Sequence, residues 1–157
     1  MSHFNVIQIC KEKPTKDDWI AGHDLYEDGL FMSESDYGGD TLTAQERIEA
    51  LESIKRQLSP YATVSTKNKT IRFRKPEIVK RRWLADVKRA YKEFEKNVKK
   101  GKFYISEYRL RQDIAELSSG DLFYDGYCRK FAAIVGDYLA GYLPQTLYIG
   151  AILDAHC

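Results

Sequence analysis

A chain of 157 residues that is 43% hydrophobic and 13% aromatic holds enough apolar material for one packed core of ordinary domain size, which excludes a disordered polymer. Its formal charge of +2 conceals strong segregation: residues 67–111 hold 17 Lys and Arg against five acids, a net +12, while residues 12–52 hold twelve acids against three bases, a net −9. Cys10, Cys128 and Cys157 are scattered without a Cys-x-x-Cys pair, which fits neither a disulfide framework nor a structural zinc site.

Residues 3–10 carry apolar side chains on both faces, as in a strand buried inside a sheet, and they lack the basic start and small-residue cleavage site of a signal peptide. Residues 11–42 are the least regular. Thr15, followed by Asp17 and Asp18, is placed to start a short helix, and Asp36-Tyr37-Gly38-Gly39-Asp40 after Gly29 reads as a loop. Thr43-Ala44-Gln45-Glu46 is a capping box, with Ile48, Leu51, Ile54 and Leu58 forming the apolar face of the helix that it opens. Residues 62–66 and 70–74 read as a hairpin turning at Lys67-Asn68-Lys69; alternation sends Ile71 and Phe73 inward and Arg72 and Arg74 outward.

Pro76 suits the first position of a long helix ending near Gly101, whose stripe Val79, Trp83, Val87, Ala90/Tyr91, Phe94 and Val98 predicts burial. Ser106 is placed to cap a further helix, with Leu110, Ile114 and Leu117 inward and 118–121 ending it. Residues 127–143 read as an apolar helix whose small residues Ala133, Gly136 and Ala140 admit a close neighbour; Pro144 ends it and 146–154 form a buried strand. The expected fold is a single α+β domain over 1–157. In it a small, mostly antiparallel sheet has the first and last strands central, includes one hairpin and is packed by three to four helices, one long and basic. The longest apolar run, 147–153, is far short of the ~20 residues of a spanning helix, so no membrane partner and a cytoplasmic location are expected.

Catalytic chemistry finds little support. His3, His23 and His156 fall in no ligand or catalytic spacing. His156 and Cys157 approach His3 and Cys10 if the terminal strands pair, but buried cysteine usually serves as a small hydrophobe. Asp17, Asp18, Asp24, Glu27 and Asp28 supply clustered carboxylates with no supporting motif, and Tyr37-Gly38-Gly39-Asp40 lacks the lysine and strand–glycine–helix context of a phosphate loop. The expectation is therefore a non-enzymatic protein without cofactor or metal.

The basic block carries more. Arg72, Arg74, Arg81, Arg82, Lys88, Arg89, Lys92, Lys96, Lys99 and Lys100 form an expected ridge for phosphates, with Phe73, Phe103, Tyr104 and Tyr108 interleaved as rings. No zinc finger, RNA-binding signature or helix-turn-helix accompanies them, so sequence-specific readout is not expected. The expected partner is nucleic acid or a nucleic-acid-binding protein. The complementary acidic and basic segments also suit neutralisation within the monomer or across a homodimer.

The opening Met1-Ser2-His3-Phe4-Asn5-Val6-Ile7 resembles the start of uncharacterised small proteins of bacteriophages and bacteria. That resemblance spans seven residues and implies a mobile-element origin. In that setting, the alternative to nucleic-acid binding is an inhibitor that blocks a host nucleic-acid-handling or immunity protein, using the acidic 12–52 segment as a phosphate mimic or the basic ridge as its contact.

Overall fold

The computed structural model describes residues 3–27 and 37–156. Asp28, Asp36 and Cys157, named above, lie outside them. The fold is α+β. Its strands are β1 (His3–Cys10), β2 (Tyr37–Thr41), β3 (Ala62–Ser65), β4 (Thr70–Phe73), β5 (Leu122–Tyr124), β6 (Cys128–Arg129) and β7 (Thr146–His156). Its helices are α1 (Gly22–Glu27), α2 (Ala44–Leu58), α3 (Pro76–Lys99), α4 (Phe103–Glu116) and α5 (Phe131–Leu139), with a 3-10 turn at Lys16–Asp18.

The seven strands form one mixed sheet in the order β3-β4-β7-β1-β5-β6. The terminal strands are central, as expected, and pair antiparallel. Every pairing is antiparallel except β1 with β5. One edge of the long β7 is shared, by β4 at its start and β2 near its end. The sheet is thus larger than expected, because three short strands carry little alternation. Tyr37–Thr41 pairs as β2 where a loop was expected, and 122–124 and 128–129 form the hairpin β5–β6.

One sheet face packs under α2, α5 and the start of α3, around Ile54, Leu58, Tyr61, Phe73, Phe123, Phe131, Ile134 and Leu147. The other holds a smaller cluster of Val6, Leu25, Leu122, Leu153 and Ala155. The expected capping box opens α2: Glu46 N donates to Thr43 Oγ1 at 3.3 Å and Thr43 N to Glu46 Oε2 at 2.8 Å. Leu51, Ile54 and Leu58 are buried, but Ile48 is 56% exposed, since the inward stripe runs through Ala50 instead.

Other expectations need correction. Thr15 opens only a single 3-10 turn, where its N–H and hydroxyl both donate to Asp18 Oδ2. Ser106 is not a cap: α4 starts at Phe103, and Ser106, buried, turns its hydroxyl back to the carbonyl of Lys102. The expected helix over 127–143 is shorter, because Gly126 (φ +119) turns the chain and Cys128 and Arg129 join the sheet first. Arg129 is held there between Asp125 and Asp137. Of the three expected small residues, Gly136 faces the ring of Trp83, whereas Ala133 and Ala140 are exposed.

Candidate nucleic-acid interface

Pro76 at the first turn launches α3 directly from β4, and the helix lies against α4 and α5. Of its expected stripe only Val79 is fully buried. Trp83, Val87, Ala90, Phe94 and Val98 are half-buried and Tyr91 is exposed. The reason is that the second half of α3 leaves the sheet and is covered by α4 alone. The two helices form a projecting hairpin turned at Gly101 (φ +78).

At 100° per residue, Arg81, Lys88, Lys92 and Lys99 fall in one sector of α3, opposite Val79, Ala90 and Asn97, with Lys96 beside it. All five are exposed. Their charge is unevenly available. Lys96 lies 3.9 Å from Glu93 and Lys99 3.2 Å from Glu95, both within the helix and open to solvent. Arg81, Lys88, Lys92 and Lys100 have no ion-pair partner among the described residues.

Arg82 and Arg89 do a different job. Arg82 Nε stands 3.0 Å from Asp86 Oδ2 and Arg89 Nη1 2.9 Å from Oδ1. The same carboxylate accepts a 2.6 Å hydrogen bond from the hydroxyl of Tyr61, a ring with no exposed surface. Burial and the adjacent carboxylate push the Tyr61 phenol well above its ordinary pKa. Two arginines expected to meet phosphate therefore neutralise the acid that ties α3 to the end of α2. Arg74 is similarly engaged: its Nε and Nη2 donate to the carbonyl of Ser59, 3.2 and 2.7 Å away, satisfying the C-terminus of α2. Arg72 is exposed on β4, opposite Thr63, on the sheet face away from the Ile71 and Phe73 side chains.

The start of α4 adds rings and aliphatic surface. Phe103, Tyr104, Ile105 and Tyr108 are all exposed, Tyr104 to 88%, and Leu84 and Tyr91 are exposed on α3. Phe73, by contrast, is core, stacked on Tyr138 with ring centroids 4.5 Å apart. Phe103, Tyr104 and Tyr108 are thus exposed rings beside the basic block, as expected, whereas Tyr91, assigned by periodicity to the buried stripe, is exposed because the stripe continues past the supporting layer.

The acidic segment stays apart. Among the described residues no ion pair joins 12–52 to 67–111; the basic block pairs only with its own acids. Among the described residues, Cys10 does not join the expected histidine–cysteine cluster, of which Cys157 lies outside them. Antiparallel register sets His3 opposite His156 but Cys10 opposite Tyr148, at the far end of the strand. Burial, with Asp18 nearby, holds the Cys10 thiol above its usual pKa, and no group of three or more metal-ligating side chains occurs among the described residues. Nor is any described helix long and apolar enough to cross a membrane. No protein-family model, curated protein or solved structure matches the chain.

Proposed function

We propose that this chain is a non-enzymatic binding protein that engages nucleic acid through α3 and the adjoining start of α4. The observation that carries the reading is the row Arg81, Lys88 and Lys92, exposed, in phase on one helix face and without carboxylate partners. Unpaired cations on a rigid helix give up little when a phosphate arrives, because no existing ion pair must break first. Lys96, Lys99, Lys100 and Arg72 extend the field. Tyr104 and Tyr108, one turn apart on α4, offer rings to unpaired bases. The test is fluorescence anisotropy with mixed-sequence duplex and single-stranded probes at two salt concentrations. Binding that is insensitive to sequence and weakens with salt supports the reading, and no binding in dilute buffer refutes it.

A second reading draws on a separate observation, the run of exposed Phe103, Tyr104, Ile105 and Tyr108 at the start of α4. Large apolar and aromatic side chains beside arginine resemble the centre of a protein interface. In that reading the projecting hairpin is the contact of a mobile-element inhibitor with a host nucleic-acid-handling or immunity protein, and the basic ridge steers the encounter. Replacing Tyr104 and Tyr108 with Ala distinguishes the two. Duplex binding by phosphate contacts survives the change, whereas a protein complex centred on these rings does not.

A further inference from the structure

A groove of about 600 Å³ lies between the 13–19 segment and the turn of the β3–β4 hairpin. Lys13, Lys16, Lys67 and Lys69 line it together with Trp19 and Tyr148, and no carboxylate is among its lining residues. Lys13 and Lys16 belong to the acidic segment and Lys67 and Lys69 to the basic block, so only the fold brings the four together. All four are exposed, and none has an ion-pair partner among the described residues. Four cations converging on one groove repel each other, an unfavourable term that an entering anion relieves. Of the neighbouring acids, Asp18 is occupied by the N–H and hydroxyl of Thr15, and Asp17 is exposed outside the lining.

The walls are fixed from behind. Gln8, 8% exposed, donates from Nε2 to the carbonyl of Asp18 at 2.8 Å and accepts from Ile20 N at 3.1 Å, clamping the backbone on both sides of Trp19. The Arg47 guanidinium lies 4.5 Å from the centroid of the Trp19 ring. On the opposite wall Lys69 takes a left-handed conformation (φ +53) and its carbonyl accepts from Ile149 N at 2.8 Å. A site whose backbone is already held loses little ordering entropy on binding.

We infer that this groove binds a nucleoside triphosphate, its phosphate chain among the four lysines and its base against Trp19 and Tyr148. Lysine is a compact point-charge donor for phosphate, indole and phenol rings stack on planar bases, and the volume is that of a small-ligand site. The inference is independent of the α3 ridge, which starts from the other end of β4.

Isothermal titration at low salt with ATP, inorganic tripolyphosphate and adenosine tests it. ATP is expected to bind one-to-one, tripolyphosphate more weakly, and adenosine not at all. Replacing Lys13, Lys16, Lys67 and Lys69 with Gln is expected to weaken ATP binding at least ~30-fold, about 2 kcal/mol, with a thermal midpoint no lower than that of the wild type, since the change also removes their mutual repulsion. Replacing Arg81, Lys88 and Lys92 should leave ATP binding alone, so failure here and failure of the nucleic-acid reading are separable. Absence of ATP binding, or binding that survives loss of the lysines, overturns the site. Tripolyphosphate or adenosine binding as tightly as ATP overturns the nucleotide assignment. Should the fourfold variant not fold, Lys67→Gln with Lys69→Gln, confined to the exposed turn, carries the same test.

Discussion

A Cβ built on Gly150 would stand 2.5 Å from Gln8 Oε1, well inside contact distance. That oxygen is not free to move away, because it accepts from Ala151 N at 3.0 Å and from Ile20 N. The register of β1 against β7 slips by one residue between Ile7 and Ile9, and the Gln8 side chain fills the gap left in the ladder. Gly150→Ala is therefore expected to cost about 2–3 kcal/mol, overpacking together with loss of these bonds. Chemical denaturation of the cycle with Gln8→Ala checks it: in the Gln8→Ala background the added methyl should cost under ~1 kcal/mol. Asp121 gives a second test at this scale. It is buried and accepts from Asn5 N at 2.8 Å and from Asn5 Nδ2 at 3.3 Å. Desolvation raises its pKa against the opposing pull of the Asn5 bonds. A carboxyl whose folded pKa lies above its unfolded value binds more protons in the native state, so stability falls as pH rises from the unfolded pKa through the folded one. Asp121→Asn keeps an acceptor for Asn5 and removes the charge. The variant is expected to gain on the wild type as pH rises from about 4 to about 7, read from denaturant midpoints at several pH values.

Among the elements, α2, the β3–β4 hairpin, α3 and the two central strands were legible because each carries a strong period, a cap or a proline at the right place. Thr43 with Glu46, and Pro76, act as boundaries through local chemistry alone. β2, β5 and β6 were not legible: a strand with two glycines and strands of two or three residues owe their existence to the edges of β7 and β1 that they complete. The ridge was legible as composition, but counting it whole overlooked Asp86, one turn from Arg82 and Arg89 on the same helix, and only a tertiary contact reveals that Arg74 is committed to Ser59. The four-lysine groove was hidden altogether, because its lysines belong to segments of opposite charge. Trp83 shows the same limit, being a correct stripe position on a helix that soon leaves its support. It touches α5 at Gly136, where an added Cβ would meet the indole at 3.6 Å, an ordinary contact. Glycine is thus not sterically required there. Gly136→Ala is expected to stabilise the protein by about 1 kcal/mol through helix propensity, seen as a raised thermal midpoint. A lowered midpoint would show that α3 and α5 approach more closely than this.

Across the whole molecule, charge is divided between groups that hold the fold and groups left for a partner, and salt dependence separates them. If duplex binding uses about five phosphates, the slope of log K against log [salt] should lie near −4 to −5. Replacing Arg81, Lys88 and Lys92 with Gln should reduce its magnitude by roughly 2–3 and leave thermal stability unchanged, because these side chains touch no described acid. Replacing Arg82 and Arg89 should do the reverse. Asp86, mostly buried beside the Tyr61 hydroxyl, would lose both cations, so the midpoint should fall by several degrees while the slope changes little. Anisotropy titrations from low to physiological salt, with thermal unfolding of each variant, read both quantities on the same samples. Equal effects of the two variant sets on the slope would mean that Arg82 and Arg89 exchange Asp86 for phosphate on binding. A wild type that fails to bind in dilute buffer would leave the exposed rings of α4, and hence a protein partner, as the purpose of the projecting hairpin.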